Sequence, residues 1–593
     1  MDLATIAATV AGTAVAAAYL DAKWHITKDV QYMWRVTAAE RAAAQEERKG
    51  QICPFYEFER NVQKYPDHLA IWSYTGIYTF HELYEHVCQY ANYFHELGVQ
   101  RGQLVAFYLT NSPEFIMAWF ALLSIGSAPA AINYHLTGET LIHCLGICGV
   151  NVLLVDEDVE CQGRIDASRP TIEGQMGMKI LSLDESLKSH VATFPKSTPP
   201  EHLRRNVSGD APFVLLYTSG STNFSISNPS LGQRETAALC SGTSVAIAKR
   251  FSATSFWKDI HDSNATWFVY VGEVVRYLLN QPASPYDRDH RLRGMYGNGL
   301  RLDVWEKFRE RFNVPDIVEF FGSSEGMFYR ANMNRGPYTR GAVGLDGLLT
   351  RRRLHRTLVP IVVYHDSDNI VRDPKTGLAK IASYEEGGEI VVAVPNETAW
   401  KGYWQNAGAT EKKFTRDVLK KGDVFYRTGD ALRRTPDGRW YFMDRLGDTF
   451  RWKSENVSTT EVAEALSQFP GVVEANVYGV LVPQHEGRAG CAALQMSEGI
   501  DVDMMELARF VRSKLPRYAV PAFIRLVRTS SHIHNYKQNK VPLREEGVDP
   551  RRKGSLLEGG VHDRVFYLSP GAGAYVEFGQ REWDDLVAER VRL

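Results

Sequence analysis

The chain has 593 residues, 44% of them hydrophobic, and its 68 Lys and Arg against 70 Asp and Glu give a net charge of -2 at pH 7. That length supports several cores, about four at roughly 150 residues per domain, and the balanced charge gives no chain-wide basic field to argue for nucleic-acid binding. Seven cysteines, Cys53, Cys88, Cys144, Cys148, Cys161, Cys240 and Cys491, carry none of the CxxC pairs of a zinc site, so they read as reduced thiols of a cytosol-facing protein.

Residues 3–20 form an uncharged run of 18, LATIAATVAGTAVAAAYL, near the lower limit for spanning a bilayer. The run is rich in Ala and Thr, so its insertion energy is weak, and Thr5, Thr9 and Thr13 recur at helical spacing. Asp2, with no Lys or Arg before the run, disfavours a cleaved signal peptide. The reading is a membrane anchor, with an interfacial helix as the alternative. Trp24, Tyr32, Met33 and Trp34 interleave with Lys23, Lys28 and Arg35 and would suit a headgroup-level belt. Residues 38–50 read as a charged, helix-like linker.

From Phe58 a globular pattern begins. The stretch 104–126 predicts a strand, a turn at Asn111-Ser112-Pro113 and an apolar helix, and residues 130–133 and 151–155 predict further buried strands. Strands alternating with helices predict a parallel α/β sheet covered on both faces. FVLLYTSGST, residues 213–222, is an apolar strand ending in hydroxyls and a glycine, a plausible phosphate cradle or an ordinary Ser-Gly surface turn. The next eleven residues, 223–233, are polar without hydrophobic period and read as loop.

Three later motifs carry chemistry. GNGLR (297–301) offers a turn where backbone can approach a flat base. EFFGSSEG (319–326) offers Phe321 as a stacking face, Ser324 as a hydroxyl, and Glu325 as a carboxylate able to hold Mg²⁺ through one oxygen. In residues 421–462 two strand-like segments flank Pro436-Asp437-Gly438, a hairpin by turn chemistry. The hairpin would bring Asp430 and Arg445 to one sheet edge, and a carboxylate beside a guanidinium fits a ribose and its phosphate. A plain surface ion pair is the alternative. A helix opens at Ser458 to Glu461, and residues 475–480, 489–494 and 523–526 with helices at 461–468 and 503–513 predict a compact α+β unit.

YRTGD together with DRLGDTFRWKSENVSTTEV is similar to the signature of the fatty-acid transport protein and very-long-chain acyl-CoA synthetase family, a branch of the adenylate-forming enzymes. Flanking segments, among them WKGYWQN (400–406) and ATEKKF (409–414), extend the resemblance from about residue 58 to 550. It implies an α/β fold with a large N-terminal adenylate-forming domain of layered sheets and helices, residues 51–444, preceded by a membrane-associated segment, 1–50. A small mobile α+β domain, 445–593, would swing on a hinge near Gly447 and Asp448.

The resemblance also implies the site. Thr218, Ser219, Gly220, Ser221 and Thr222 would hold the β and γ phosphates of ATP. Gly297, Asn298 and Gly299 match the adenine-side loop, with Phe321, Gly322 and Ser324 beside it and Glu325 on Mg²⁺. Asp430 would hold the ribose hydroxyls, Arg445 the ribose or phosphate, and Lys537 in NYKQNKVPL would be the mobile catalytic lysine, with Lys540 its local competitor. The implied activity is a two-step ligation of a long or very long fatty acid to CoA with ATP, Mg²⁺ and a membrane lipid surface as partners. Residues 223–233 depart from the family, which continues there through a second glycine, a Pro-Lys pair, a helix and a strand, as expected of a splice variant or gene-model error. Ser454 stands where the family has glycine, a Cβ that could obstruct the thioester step. A catalytically impaired transport or binding protein, or an enzyme for aromatic acids, are the alternatives. The terminal Val-Arg-Leu resembles a peroxisomal address loosely.

Overall fold

The computed structural model describes residues 3–217, 225–227, 238–322, 326–364, 369–397, 400–446, 450–452, 455–483, 485, 488–528, 538–551, 563–569, 571–588 and 590–591. Two helices open the chain, Leu3–Trp24 and Ile26–Lys49, meeting at His25 with a positive φ of 52°. No helix among the described residues is long and apolar enough to cross a membrane. The stretch expected as a linker lies inside the second helix, whose start is fastened to the body of the protein. Asp29 is buried there, and its carboxylate accepts the N–H groups of Gly347 and Thr350 at 2.9 Å each and the Thr350 hydroxyl at 2.7 Å. Those donors belong to the first turn of the helix Leu348–Leu354, where free N–H groups favour an anion.

The first large sheet has the strand order Lys179–Leu183, Val152–Asp156, Leu104–Tyr108, Ala128–Ala131, Leu215–Tyr217, Ser225–Ser227. Its first five strands are parallel and the last is antiparallel. The predicted strand, turn and helix of residues 104–126 appear as Leu104–Tyr108 and Pro113–Ser124, the helix capped by the Ser112 hydroxyl. Side-chain alternation puts Val105 and Phe107 in one core and Leu104, Ala106 and Tyr108 in another, so both faces are covered as the parallel pattern demands. Ser225–Ser227 corrects the loop expected for 223–233: a short segment with a β-branched residue pairs with the open edge of Leu215–Tyr217.

The second sheet orders Trp267–Val271, Gly294–Asn298, Asp316–Gly322 and Tyr329–Asn334, the first three parallel and the last antiparallel. Phe268, Tyr270, Met295 and Ile317 point to one face and pack with the helices Phe256–Asp262, Gly272–Leu279 and Leu302–Phe312. The opposite face stays open: Val269 is 51% exposed and Met333 58%. On that face Tyr296 stacks on Phe320 at 4.8 Å, and the Tyr296 and Tyr329 hydroxyls lie 3.1 Å apart.

A third sheet runs Gly344–Leu345, Arg439–Arg445, Val424–Arg434, Gly388–Val394, Leu358–Ile361, with Phe414–Arg416 beside Val424–Arg434. Beyond it a smaller unit has its own core, from Phe450 to Leu586, around the sheet Val472–Val480, Ala489–Met496, Phe523–Val527, Arg564–Tyr567, Val576–Glu577. The expected helices are there as Thr459–Leu466 and Met504–Lys514, and Ser458 caps the first through the Glu461 N–H. The seven cysteines are free thiols.

Candidate functional site

The predicted hairpin is formed by Val424–Arg434 and Arg439–Arg445 around the Pro-Asp-Gly turn. Gly438 has φ +98° and a Cβ there would stand 1.9 Å from the Asp346 carbonyl oxygen, so the turn requires glycine. Trp440 is fully buried and donates its ring N–H to Asp346 at 2.7 Å, which fastens the second strand. The register sets Asp430 opposite Arg445, with Nε and Oδ1 3.5 Å apart. The aspartate is buried while the arginine side chain is 60% exposed, so this pair adds little stability and the guanidinium stays open to solvent.

Three further residues hold this edge: Glu389 and Thr428, which sequence reasoning did not single out, and Asp444, which it paired with Arg445 without a role. Glu389 is fully buried and accepts from Arg427 Nη2 at 2.7 Å, from Arg427 Nε at 3.0 Å and from the Gly429 N–H at 3.1 Å, one residue before Asp430. The Thr428 hydroxyl donates to the Ile390 carbonyl at 2.6 Å and accepts from the Asp430 N–H at 3.2 Å. Asp444, also buried, accepts the N–H groups of Arg445 and Thr459 at 2.8 Å each and thus ties the hairpin to the first helix of the C-terminal unit. Lys540 donates to the Thr459 hydroxyl at 2.7 Å, so the competitor for the lysine role is engaged at this junction.

On the other side, Gly297 and Asn298 end one strand of the second sheet and Gly299 follows with φ +79°. A Cβ on Gly297 would lie 2.2 Å from the Tyr270 carbonyl oxygen, and one on Gly272 would lie 1.8 Å from that of Gly299. The loop is therefore set by close approach to neighbouring backbone, whereas the approach expected of Gly-Asn-Gly was to a flat base. Beneath it Glu319, 3% exposed, accepts the N–H groups of Gly299 at 2.6 Å and Leu300 at 3.2 Å and shares a hydrogen bond with the Tyr270 hydroxyl. Burial pushes its carboxyl up to about 8. The available signal was a lone carboxylate inside an apolar strand, overshadowed by Glu325 in the same motif.

Phe321, half-buried, packs at 5.2 Å from Phe328 and stacks at 6.1 Å on Phe442. Because Phe442 lies in the Arg439–Arg445 strand, this contact joins the strand of Phe321 and Gly322 to the hairpin of Asp430 and Arg445. Arg301, at the end of the GNGLR loop, donates to Ser467 of the C-terminal unit at 3.3 Å. The loop thus touches both units of the molecule. The positions fit the rule that ligands of open α/β sheets gather beyond the carboxyl ends of parallel strands.

Thr218, Ser219, Gly220, Ser221, Thr222, Ser324, Glu325, Lys537, Gly447, Asp448 and Ser454 lie outside the described residues. No group of three or more metal-ligating side chains occurs among the described ones. The described residues set a glycine loop on one side and a carboxylate beside a guanidinium at one sheet edge on the other, donor and acceptor chemistry of the kind a nucleoside phosphate takes.

The AMP-binding enzyme family profile matches residues 58–223 and 230–404, interrupted where the sequence departs after Thr222, and the AMP-binding enzyme C-terminal domain profile matches 461–537. The chain is 44% identical to isopenicillin N epimerase component 1 of Hapsidospora chrysogena, over 98% of this chain and 97% of that protein. It is 35% identical to a very long-chain fatty acid transport protein of Cochliobolus heterostrophus, over 99% and 96%. Among solved structures, an anthranilate CoA ligase in complex with anthranoyl-AMP superposes with a TM-score of 0.69 at 18% identity, covering 83% of this chain and 97% of that one, a likeness of fold. The large N-terminal and small C-terminal units are those of the adenylate-forming fold, and the chain belongs to the fatty-acid transport protein family of adenylate-forming, AMP-binding enzymes.

Proposed function

We propose that this protein is an acid-thiol ligase that activates a long or very long fatty acid to its CoA thioester. The observation that carries the reading is the joined pair of edges: the Gly297–Asn298–Gly299 loop and Phe321 on one side, Asp430 opposite Arg445 on the other, linked through the Phe321 and Phe442 rings. In the first step a carboxylate oxygen of the acid attacks the α-phosphorus of ATP; the new P–O bond forms as the bond to pyrophosphate breaks. In the second the CoA sulfur attacks the acyl carbon, a C–S bond forms, and AMP leaves with the C–O electron pair. Activation is needed because a carboxylate is a poor electrophile.

Asp430 would accept the ribose hydroxyls and Arg445 would face ribose or phosphate, both held by the Glu389 and Asp444 frameworks. Thr218 to Thr222 would surround the β and γ phosphates, Lys537 would offset charge developing at the acyl carboxylate, and Glu325 would hold Mg²⁺, which neutralises phosphate charge when bound. The open face of the second sheet, with Val269, Tyr296, Phe320 and Met333, would wall the acyl group. Domain limits of 51–444 and 445–593 accompany this reading. The first helix, with Val15 69% and Tyr19 64% exposed, and Trp34 of the second, 71% exposed, would lie at a membrane surface of the endoplasmic reticulum or peroxisome, with the plasma membrane or a lipid droplet as the alternative.

Two observations favour other readings. The 44% identity to a protein named for isopenicillin N points to an acid other than a straight-chain one. The interruption of the family match between 223 and 230 favours a binding or transport protein without turnover. One assay separates them: thioester formation by the purified full chain with ATP, Mg²⁺ and CoA, offered fatty acids of graded length and isopenicillin N, beside Lys537→Ala. Turnover with fatty acids that Lys537→Ala abolishes supports the ligase; turnover with isopenicillin N alone moves the substrate class; ATP binding without turnover on any acid overturns catalysis.

A further inference from the structure

Glu319 stands in the centre of the strand Asp316–Gly322, sealed from solvent, with no cation beside it among the described residues. The groups that act on its carboxyl are the Tyr270 hydroxyl and the backbone N–H groups of Gly299 and Leu300. On the helices packed on this face, Arg276 and Asp303 are paired with each other at 3.0 Å, Lys258 with Asp262, and Arg309 with Glu306 at 3.1 Å. A bare carboxylate without a counter-ion is among the most costly groups to bury, so a position of this kind asks what the carboxyl accomplishes there.

The division of labour between its two oxygens answers. Oε1 accepts both loop N–H groups, at 2.6 Å from Gly299 and 3.2 Å from Leu300, while Oε2 faces the Tyr270 hydroxyl. A neutral carboxylic acid satisfies all of this: its carbonyl oxygen takes the two N–H groups and its O–H donates to the phenol oxygen. Tyr270 can then turn its own proton to the Val318 carbonyl, 3.5 Å away. The burial that raises the carboxyl's proton affinity agrees with that assignment.

We propose that Glu319 is a positioning residue for nucleotide binding, held as a neutral acid that clamps the 299–300 backbone from below so that the Gly297–Gly299 loop presents a fixed surface to the base. It touches no substrate; it acts through the loop. The proposal rests on reading that loop as the adenine side of an ATP site.

The test is calorimetric titration of Mg-ATP, and separately of CoA, into the full-length protein and its variants Glu319→Ala, Glu319→Gln, Glu319→Asp, Tyr270→Phe and Asp430→Ala. Glu319→Ala orphans both loop N–H groups and is expected to weaken ATP binding about tenfold or more, with CoA binding changed less than about twofold. Glu319→Gln copies the neutral acid, its carbonyl oxygen facing the loop and its amide donating to Tyr270, and is expected to recover ATP affinity to within about threefold of the natural protein. Glu319→Asp, one methylene short, is not expected to recover it, and Tyr270→Phe falls between. ATP affinity in a folded Glu319→Ala within about twofold of the natural protein overturns the positioning role. Glu319→Gln as weak as Glu319→Ala overturns the neutral acid. If Glu319→Ala fails to fold, Gln and Asp decide: equal affinities overturn the clamp, and retention by Gln with loss by Asp supports it. Loss of ATP binding in Asp430→Ala with none in Glu319→Ala discards the clamp alone, whereas no ATP binding by the natural protein discards the nucleotide reading and the clamp with it.

Discussion

Two buried glutamates prop the two sides of the candidate nucleotide site, and they do so by opposite means. Glu389, under the hairpin edge of Asp430, is completely enclosed and meets the Arg427 guanidinium through two nitrogens. Glu319, under the Gly297–Gly299 loop, is buried as well and meets a phenol and two backbone N–H groups. The first has a fixed cation for its partner; the second has none among the described residues, and burial moves its proton affinity. The same side chain, buried on both sides of the site, meets a guanidinium on one and a phenol with two backbone N–H groups on the other. Burial alone does not set what a carboxyl does; the donors that packing brings to it do.

The largest effect should come from breaking the charged prop. Glu389→Ala leaves Arg427 half-buried without its carboxylate and should cost about 3–5 kcal/mol in urea unfolding. Replacing both partners, Glu389→Met with Arg427→Met, should recover much of that loss; a double variant as unstable as the single one would mean the charge is not what matters. Next, Asp430→Ala should weaken ATP binding by about 1.5–3 kcal/mol, read by titration, because it removes a charged acceptor at the ribose edge. Unchanged affinity would detach the ribose role from this hairpin.

Acidity offers the sharpest contrast between the two props. The folded chain holds the Glu319 proton more tightly than the unfolded chain does, the carboxyl moving from 4.5 to about 8. Its contribution to stability is therefore fully present below about pH 4.5 and is lost as pH rises through about 8. Thermal unfolding across that window should fall with rising pH, and Glu319→Gln should flatten the fall; an identical slope in the variant would show that Glu319 is not the group responsible. The smallest effect is expected from Arg445→Ala. Its guanidinium is largely open to solvent and 3.5 Å from the Asp430 carboxylate, so stability should change by less than about 1 kcal/mol while ATP affinity drops; a large unfolding change would contradict the exposed placement of the guanidinium.

Much of this site was legible in the linear chain where neighbours in sequence are neighbours in space. Turn chemistry at Pro436-Asp437-Gly438 sets the hairpin, and a hairpin's register puts Asp430 across from Arg445. The glycines of GNGLR pointed to a flat base, and what the fold shows against them is the backbone of Tyr270 and Gly272, a neighbour the linear chain did not announce. The short strand Ser225–Ser227 was not legible, since three polar-flanked residues carry no period and only the open edge beside them makes them a strand.

The sequence by itself determined the order of strands and helices, the hairpin and the motifs, because alternation, capping and turn preference act over a few residues. Only the tertiary structure decided which carboxylates are sealed and what meets them. Glu319 finds its donors about twenty residues back, Glu389 its guanidinium 38 residues on, and Asp29 its helix terminus 321 residues away. Those distances are bridged by packing, and packing is a property of the whole chain at once. It is also what turns one glutamate into an ion-pair partner and another into an acid that keeps its proton.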